Sequence, residues 1–579
     1  MYRRVIAPLV VELDAVIVHE KLSKWARLGE GLPVPVDETF DYIVVGAGSA
    51  GAVVASALSA DPGVSVLLLE AGPEDSSHWT KVPLGFGKVL FDPKYMWFHE
   101  TQPEPGLGAR RVSLPHGKVL GGSSAINGLQ YARGVPFDYD NWERLGATNW
   151  SYKDVLPYFK RMERYHLGAD EFHGEDGPIG VETVRWKTPL GDAFIAAGEA
   201  MGLPRNDDPN GQSGEGVGYV NVNAWRGRRS STSEAYLKRA RKRPNLRIVT
   251  EALATRILLK GREATGIRYE RGGKTYEAHA RAEVVLSLGA LQTPQLLQVS
   301  GIGPAALLRE HGVEPVHDLP GVGENLIDHV HAGVTCRSSS SHTINAIMSN
   351  PLSQLRHGLD YYLGRRRGVL TLGASQTGGF VRSRDGLPAP DLQFGLTPFL
   401  PDEVDMWKLA KGSGFGIGVY FTRPQSRGYV RMGSSDMREP PRIQCNYFTH
   451  EEDQAACVRG LNFVRKLMHT DPLSAFVEVE LRPGPNVRSD DELLDYARQA
   501  CGTAFHFCGT ARMGTDIDAV VDPELRVHGI GRLRVADASV MPAIITGNTN
   551  AASMMIGERA AEFIGYRFRN NSVKGWKNA

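Results

Sequence analysis

The stretch that decides the fold is Asp41–Glu70, DYIVVGAGSAGAVVASALSADPGVSVLLLE. Apolar runs at residues 42–45 and 64–69 predict two buried strands, and the alanine-rich segment between them predicts a helix. Glu70 ends the second strand, where a carboxylate can accept a hydrogen bond from a ribose hydroxyl. The stretch therefore predicts a strand–helix–strand unit that binds a dinucleotide.

Three glycines, Gly46, Gly48 and Gly51, give the spacing GxGxxG between the first strand and the helix. The first permits a tight turn, the second lets backbone N–H groups approach a pyrophosphate, and the third lets the helix pack close to the strand. The helix N-terminus adds positive potential for the phosphate charge. The loop predicts dinucleotide binding without specifying which dinucleotide.

The composition sets broad limits on function. The 66 basic and 65 acidic side chains of the 579-residue chain nearly cancel, which predicts neither a nucleic-acid partner nor an anionic membrane surface. The five cysteines are scattered and form no CxxC pair. This argues against a disulfide framework or a metal site, and favours a reducing, cytoplasmic compartment.

Residues 1–40 precede the first strand and are predicted to be an N-terminal extension. We expect an amphipathic helix that packs on the body of the protein or on a neighbouring subunit. A homo-oligomer is therefore one of the predicted possibilities. Glu12, Asp14 and Glu20 interrupt the apolar pattern and argue against a signal peptide or a membrane-surface helix, although peripheral membrane association is not eliminated. No stretch approaches the roughly 18 apolar residues of a transmembrane helix.

The remaining pattern predicts an α/β fold, α+β overall, in which two domains are interleaved. Strands are predicted at 246–249, 254–259, 264–269, 274–278, 283–287, 416–422 and 428–432, and helices within 136–165, from 295 to 300 and over 551–564. The predicted Rossmann-like dinucleotide-binding domain comprises 41–130, 230–330 and 502–570. The predicted substrate-binding domain, a mixed or antiparallel sheet with flanking helices, comprises 131–229 and 331–501.

Two glycine-rich segments carry a resemblance to a known family. Gly117–Asn127, GKVLGGSSAIN, and Gly289–Gly303, GALQTPQLLQVSGIG, are similar in order and spacing to the two signatures of the glucose–methanol–choline oxidoreductases. These are flavoproteins that oxidise alcohols, and the resemblance extends from Phe40 to Gly565. It implies FAD as the cofactor. Some relatives bind the flavin covalently through a histidine where this chain has Ile126, so the resemblance implies non-covalent FAD here.

The resemblance also implies which residues bind FAD. The ADP half would be held by Gly46, Gly48, Ser49, Ala50, Gly51, Glu70 and Ala71. The flavin would be lined by Val119, Asn127, Gly128, Leu129 and Gln130, and the backbone of Ala254 would contact the adenine. Asp537, Asn548 and Thr549 would complete the site near the C-terminus.

The catalytic pair implied by the resemblance is His506 and Asn550. Alcohol oxidation needs a base for the hydroxyl proton while hydride leaves the carbon for flavin N5, and a positioned imidazole can act as that base. Asn550 would anchor the hydroxyl oxygen and stabilise its alkoxide character. Relatives commonly have proline directly after the histidine, whereas this chain has Phe507, so the fit of the substrate is less transferable.

The expected reaction is oxidation of a primary alcohol to an aldehyde, with oxygen or another electron acceptor reoxidising the flavin. Two alternatives on the same fold stay open, a hydroxynitrile lyase and a fatty-acid photodecarboxylase. The latter would need a carboxylate anchor, for which the candidates are Arg382, Arg423 and Arg431.

The predicted pocket segments are 368–380 and 391–398, and aromatic side chains near the site favour an apolar or aromatic alcohol over a sugar. Simple core packing would explain the same aromatics equally well. They are Phe399, Trp407, Phe415, Phe505 and Phe507.

Overall fold

The computed structural model describes residues 38–402 and 408–565. The first strand begins at Glu38, so the last residues of the predicted extension belong to it. The helix expected within residues 1–40 lies otherwise outside the described residues, as does Trp407. No helix in the described ranges is long and apolar enough to cross a bilayer.

The strands are numbered here along the chain. They are β1 Glu38–Val45, β2 Val66–Leu69, β3 Met96–Glu100, β4 Ser113–Gly117, β5 Glu163–Tyr165, β6 Ile179–Thr183, β7 Gly216–Tyr219, β8 Asn221–Val222, β9 Ala224–Trp225, β10 Arg228–Arg229, β11 Leu246–Val249, β12 Leu253–Lys260, β13 Glu263–Arg271, β14 Lys274–Leu286, β15 Ile302–Gly303, β16 His317–Asp318, β17 Val330–Arg337, β18 Thr377–Val381, β19 Leu392–Thr397, β20 Gly414–Phe421, β21 Tyr429–Arg431, β22 Arg442–Gln444, β23 Val479–Arg482, β24 Gly502–Thr503 and β25 Leu533–Val535.

The α-helices are numbered in the same way. They are α1 Ser49–Leu58, α2 Phe86–Val89, α3 Pro136–Arg144, α4 Tyr152–Met162, α5 Pro189–Ala200, α6 Lys238–Ala240, α7 Gln292–Val299, α8 Ala305–Glu310, α9 Ile344–Ser349, α10 Pro351–Tyr362, α11 Glu451–Met468, α12 Asp490–Ala500 and α13 Asn550–Phe563.

The first sheet contains the predicted strand–helix–strand unit. Its order is β11-β2-β1-β14-β13-β12, and β25 pairs with β14. The strands β1, β2 and β11 run parallel, and β1 and β2 are apolar because helices cover both faces of a parallel sheet. The two strands predicted at 274–278 and 283–287 are one continuous strand, β14.

A second sheet has the order β23-β17-β20-β19-β18-β7, with β24 paired to β17, and every pairing in it is antiparallel. Helix α11 packs against β20 and β17. This confirms an antiparallel sheet flanked by helices, whereas the domain boundaries drawn from the sequence stay a prediction. A separate buried apolar cluster lies under each sheet.

The C-terminal segment completes the first sheet. Strand β25 extends it beside β14, and α13 packs directly on α1. The contact is close because Gly557 has no side chain: a Cβ there would lie 2.7 Å from the carbonyl oxygen of Ala50. The N-termini of α1 and α13 are thereby brought to the same place.

Candidate active site

A cavity of about 390 Å³ opens where β1 and β2 end and where α1 and α13 begin. Most of the residues predicted to bind a cofactor or to carry the chemistry line it, although they come from distant parts of the chain. They are Gly46, Gly48, Ser49, Ala50, Glu70, Ala71, Asn127, Gly128, Leu129, Gln130, Ala254, His506, Asp537, Asn548, Thr549 and Asn550.

Two of the predicted residues, Gly51 and Val119, do not line this cavity. A Cβ on Gly51 would lie 2.0 Å from the carbonyl oxygen of Gly46, so Gly51 allows α1 to pack on the turn, as its place in the motif predicts. Val119 is fully buried in a small apolar cluster with Ala125 and Ile126. Its side chain therefore supports the wall from behind, and its predicted place beside the flavin stays a prediction.

The glycine turn leaves room for a ligand at one position. A Cβ on Gly48 would meet only the carbonyl oxygen of Ser287, at 4.0 Å, whereas one on Gly46 would lie 2.4 Å from that atom. Gly46 also has a positive φ of 96°, which disfavours a side chain. Space beside Gly48 at the N-terminus of α1 fits the pyrophosphate of a dinucleotide. The residues present therefore fit the predicted cofactor.

Glu70 lies at the end of β2 with its carboxylate held by the backbone. Its two oxygens accept hydrogen bonds from the N–H groups of Ala47 (2.9 Å) and Gly72 (2.8 Å). Burial raises the pKa of Glu70 to about 7 despite these bonds. The carboxylate is thus oriented toward the cavity with acceptor capacity left for a hydroxyl group.

Asp537 joins two segments of the same wall by hydrogen bonds. One carboxylate oxygen accepts from the N–H of Gly289 (2.9 Å) and from the hydroxyl of Thr293 (2.7 Å), and the other accepts from the N–H of Ser539 (2.8 Å). Asp537 therefore connects the second glycine-rich segment to the C-terminal segment, in addition to lining the cavity.

His506 lines the cavity, as does His116, and the hydrogen bonds of His506 define its protonation. His329, at the start of the second sheet, lies with its Nε2 3.1 Å from the carbonyl oxygen of Thr422 and its Nδ1 2.9 Å from Nδ1 of His506. A carbonyl can only accept, so Nε2 of His329 carries the hydrogen and its Nδ1 is an acceptor. Nδ1 of His506 must then donate, which leaves the lone pair of His506 on Nε2.

Both histidines are held neutral by their surroundings. Burial lowers the pKa of His329 to about 3. Burial, followed by the neighbouring His329 and His331, lowers the pKa of His506 well below 6.5. A neutral imidazole with its lone pair on Nε2 is the form that can accept a proton.

Asn548, rather than Asn550, contacts the histidine. Its Nδ2 lies 3.0 Å from Nε2 of His506, and its Oδ1 accepts a hydrogen bond from Nε2 of Gln393 at 3.2 Å. Asn550 instead accepts from the hydroxyl of Ser49 (2.7 Å) and donates to Asn223 (3.2 Å). The predicted pairing of His506 with Asn550 is therefore corrected. Asn548 lies before the first residue of α13, so helical spacing does not determine where its side chain points.

Asp328 fixes the loop that carries His506. Its Oδ1 accepts from the backbone N–H of His506 at 2.8 Å, and its Oδ2 accepts from the hydroxyls of Tyr447 and Thr503, each at 2.6 Å. Asp328 and His329 were not predicted from the sequence. They lie far from His506 in the chain, and no local pattern connects the two segments.

Arg229 is a third residue that was not predicted from the sequence. It is buried, and its guanidinium donates to the side-chain oxygen and the backbone oxygen of Asn127, each at 2.7 Å. Burial lowers its pKa to about 9, and no carboxylate contributes to that shift. Among the described residues no carboxylate pairs with this positive charge, which lies directly behind the cavity wall.

The predicted aromatic side chains divide between wall and core. Phe505 and Phe507 line the cavity. Phe415 is fully buried in the core of the second sheet, and Phe399 packs against that core, as simple core packing predicts. Of the predicted pocket segments, Ala374 lines the cavity and Gln393 contacts Asn548.

Comparison with protein families identifies the chain. Residues 40–331 match the N-terminal model of the GMC oxidoreductases, and residues 424–557 match the C-terminal model. The chain belongs to the GMC oxidoreductase family. Members of this family use FAD and oxidise CH–OH donors, so the chain is a FAD-dependent alcohol oxidoreductase.

The relatives of this GMC oxidoreductase span nearly its whole length. An oxygen-dependent choline dehydrogenase of Escherichia coli O17:K52:H18 is 42% identical over 534 residues, which is 91% of this chain and 95% of that protein. A protein with the same description in Cronobacter sakazakii is 41% identical over the same shares. The crystal structure of pyridoxine 4-oxidase from Mesorbium loti is 32% identical, with a TM-score of 0.82, covering 92% of this chain and 100% of that one.

A structure of formate oxidase from Aspergillus oryzae RIB40 is 28% identical, with a TM-score of 0.85, and covers 92% of this chain and 99% of that one. These similar proteins act on different substrates, so family membership leaves the substrate of this chain to be argued from its cavity.

Proposed function

We propose that this protein oxidises an apolar or aromatic primary alcohol to its aldehyde, with His506 as the general base. The observation that carries the proposal is the pair formed by His506 Nε2 and Asn548 Nδ2, which lie 3.0 Å apart on the cavity wall. One atom offers a lone pair and the other offers N–H groups, which are the two contacts that a hydroxyl group needs.

FAD would be held along the line of cavity residues that runs from the glycine turn to Thr549. The pyrophosphate would lie at Gly48 and the N-terminus of α1, a ribose hydroxyl at Glu70, and the adenine beside the backbone of Ala254. Bound there, FAD supplies the acceptor for the hydride released from the alcohol carbon. Non-covalent binding is proposed because Ile126 offers no nucleophilic atom for attachment.

His506 would remove the hydroxyl proton. Its Nε2 lone pair points to Asn548, and its Nδ1 hydrogen is held by His329, so the imidazole is already in the required tautomer. A positioned base of this kind contributes about 10²–10⁴-fold to a rate. As Nε2 gains the proton, burial disfavours the imidazolium, which favours release of the proton once the aldehyde has formed.

Asn548 would hold the alcohol oxygen. One of its N–H groups faces His506, and the amide would donate to the oxygen as its negative charge develops. Gln393, which donates to Asn548 Oδ1, fixes the orientation of the amide. This gives Asn548 the anchoring role predicted for Asn550.

The cavity wall supports an apolar or aromatic substrate. Glu70 and Asp537, the carboxylates in the wall formed by the described residues, already accept backbone N–H groups, and Glu70 is assigned to the cofactor. No carboxylate of this wall then stands free to pair with a cationic group. Phe505 and Phe507 offer ring surface beside His506, which suits an apolar or aromatic alcohol. Because such rings also bind quaternary ammonium groups, choline is included in the test below.

The fatty-acid photodecarboxylase alternative finds less support. Arg382 pairs with Glu215, and Arg431 pairs with Glu324 at 2.9 Å. Arg423 lies 4.4 Å from the ring of Phe137, and none of the three arginines lines the cavity. The hydroxynitrile lyase alternative would use the same histidine, and release of cyanide distinguishes it.

The test is anaerobic reduction of the bound flavin by a panel of alcohols that includes benzyl alcohol, a linear alkanol, choline and glucose. We expect bleaching of the flavin by benzyl alcohol or the alkanol, and slower reduction by choline and glucose. The His506→Ala variant should retain FAD but be reduced about 10²-fold more slowly or worse. The exposed His342→Ala variant is the matched control and should behave as the native protein.

A flavin that none of these alcohols bleaches would refute the proposed reaction, and undiminished reduction of His506→Ala would refute the base. The same panel in air, assayed for hydrogen peroxide, distinguishes oxygen from another electron acceptor. The cytoplasm is the proposed location. The five cysteines are buried and unpaired, which suits a reducing compartment.

A further inference from the structure

Helix α10, Pro351–Tyr362, carries an apolar stripe on its solvent-facing side. Leu352, Leu355, Leu359, Tyr362 and Leu363 are exposed by 77%, 45%, 48%, 53% and 78%. At 100° per residue these side chains fall within a stripe roughly 100° wide. Tyr361, the buried residue of the helix, lies on the opposite side. Tyr362, at one edge of the stripe, stacks on His78 of the protein body, and the leucines face away from it.

Arginines surround this helix. Tyr361 donates a hydrogen bond to the carbonyl oxygen of Gly227 at 3.1 Å, which places α10 beside the β9–β10 turn. Around this contact lie Arg185 and Arg366, which adjoin Gly227, and Arg228, whose charge acts on Tyr361. Exposed arginines continue along the helix and its C-terminal end, at Arg356, Arg365 and Arg367.

The local charge balance is strongly positive, although the whole chain has a net charge of only +1. Asp360 is the acidic residue of α10. Glu182, near the turn, is buried and accepts the N–H groups of Arg226 and Gly227. The net charge of the whole chain predicted no anionic surface as a partner. It did not reveal this cluster, because acidic residues elsewhere in the chain balance the arginines.

We propose that α10 and the surrounding arginines form a docking surface for an anionic lipid bilayer. A helix with leucines on one face and arginines beside them lies in the plane of a membrane interface, with its apolar face among the acyl chains and its charges at the headgroups. Anionic headgroups attract such basic residues, and the attraction adds to burial of the leucines. A bilayer supplies both complements at once.

Two other occupants fit this surface less well. A second copy of the chain, related by a twofold axis, would bring the same patch against itself and place like charges together. Residues 1–37 contain five basic and five acidic side chains, so they offer no net charge to complement the arginines. The bilayer is therefore the occupant to which we commit.

The test is flotation of the FAD-loaded protein with vesicles of phosphatidylcholine alone or mixed with phosphatidylglycerol. We expect binding to the mixed vesicles and little binding to phosphatidylcholine. Leu352→Gln/Leu363→Gln removes apolar surface, and Arg365→Gln/Arg367→Gln removes two charges. Each double variant should lower the partition coefficient about tenfold or more. For the arginines, each basic residue contributes about 1 kcal/mol at an anionic surface, and 1.4 kcal/mol is tenfold. For the leucines, the loss is that of apolar surface buried among the acyl chains.

Matched controls come from elsewhere on the surface. Leu167 and Ile517 are exposed by 74% and 85%, and Leu167→Gln/Ile517→Gln should bind vesicles as the native protein does. Arg256→Gln/Arg262→Gln removes two exposed charges at the β12–β13 hairpin and should do the same. Because all substituted side chains are exposed, the alcohol-dependent reduction of the flavin should be unchanged in every variant.

The proposal is overturned if the native protein does not bind the mixed vesicles. Coverage of the stripe by residues 1–37 would give the same negative result and would also overturn it. It is also overturned if the α10 variants bind as strongly as the native protein. Sedimentation velocity provides the last check. A dimer that dissociates in Leu352→Gln/Leu363→Gln would assign the stripe to a second copy of the chain.

Discussion

The Nδ1 atoms of His329 and His506 lie 2.9 Å apart, so only one of them can carry a hydrogen. The carbonyl oxygen of Thr422 decides which one, because it accepts from the other nitrogen of His329. His329 is thus a positioning residue: it has no proposed contact with the alcohol, but it holds His506 in the tautomer that leaves Nε2 free to act as the base.

Substitution of His329 should affect the base without affecting cofactor binding. In His329→Leu, Nδ1 of His506 loses its acceptor, and we expect flavin reduction to slow by about 10–100-fold while FAD content stays constant. His329→Gln retains a side-chain oxygen that can accept, so it should recover part of the rate. Stopped-flow reduction by a single alcohol measures both. Equal loss in the two variants would point to packing rather than to the hydrogen bond.

The pH dependence of kcat/KM should reflect the lowered pKa of His506. Burial, with His329 and His331 nearby, holds that pKa well below 6.5, so the base is still neutral when pH falls to 6.5. The acidic limb of the profile should therefore lie below pH 6.5, with a plateau through neutral pH. An apparent pKa at or above 6.5 for the free enzyme would contradict this.

The same shift links pH to stability. The folded pKa of His506 lies below its unfolded value, so the unfolded chain binds the proton more readily. The stabilising contribution is therefore complete above about pH 6.5 and is lost as pH falls through the folded pKa. Thermal unfolding of the native protein and of His506→Gln as a function of pH isolates this contribution.

The two asparagines at the start of α13 should separate chemistry from cofactor binding. Asn548→Ala removes the contact with Nε2 of His506, and we expect flavin reduction to slow by about 10²-fold with FAD retained. Asn550→Ala removes the hydrogen bond to Ser49 at the N-terminus of α1, so we expect faster loss of FAD and a smaller effect on reduction. The reverse outcome would restore Asn550 as the partner of the base.

Arg229 should tune the flavin as well as hold the cavity wall. Its guanidinium donates to two oxygens of Asn127, and an apolar side chain in its place would leave those acceptors without their donor. Arg229→Met should therefore lower the Tm. Loss of a positive charge beside Asn127 should make the flavin harder to reduce, with a midpoint potential lower by on the order of 30 mV. Spectroelectrochemistry measures the shift, and Arg229→Lys is the conservative control.

Gly48 should be required for FAD binding and not for the stability of the protein. A Cβ there would meet only one protein atom, at 4.0 Å, so Gly48→Ala should fold with an unchanged Tm in the absence of FAD and lose at least about tenfold in FAD affinity. Gly51→Ala is the contrasting variant. Its Cβ would lie 2.0 Å from the carbonyl oxygen of Gly46, so the protein itself should be destabilised. Unchanged FAD affinity in Gly48→Ala would remove the pyrophosphate from this position.

The sequence predicted features that follow from local patterns. The strand–helix–strand unit of residues 41–70 was predictable because two apolar runs and three glycines lie close together, and α13 was predictable from its small apolar residues. Strand β14 was divided in two because one face of an antiparallel strand is solvated, and its polar residues at 279–283 interrupt the apolar run.

Relationships between distant residues were beyond the sequence. Nothing near His506 shows that Asp328 holds its backbone or that His329 accepts from its ring, because those contacts follow from the pairing of β17 with β24. Spacing alone could not decide between Asn548 and Asn550 either. The first lies in an irregular turn before the helix, and only the fold determines where such a side chain points.

The place of β25 in the first sheet has a consequence for biosynthesis. The glycine turn leaves the ribosome first, but its cavity is closed by β25 and α13, which are made long afterwards. At about 5–20 residues per second, the interval is on the order of a minute. During that time the nascent chain has half a cofactor site. FAD capture should therefore wait until β25 and α13 have left the ribosome, and a protein that lacks the residues from Leu533 onward should contain no flavin.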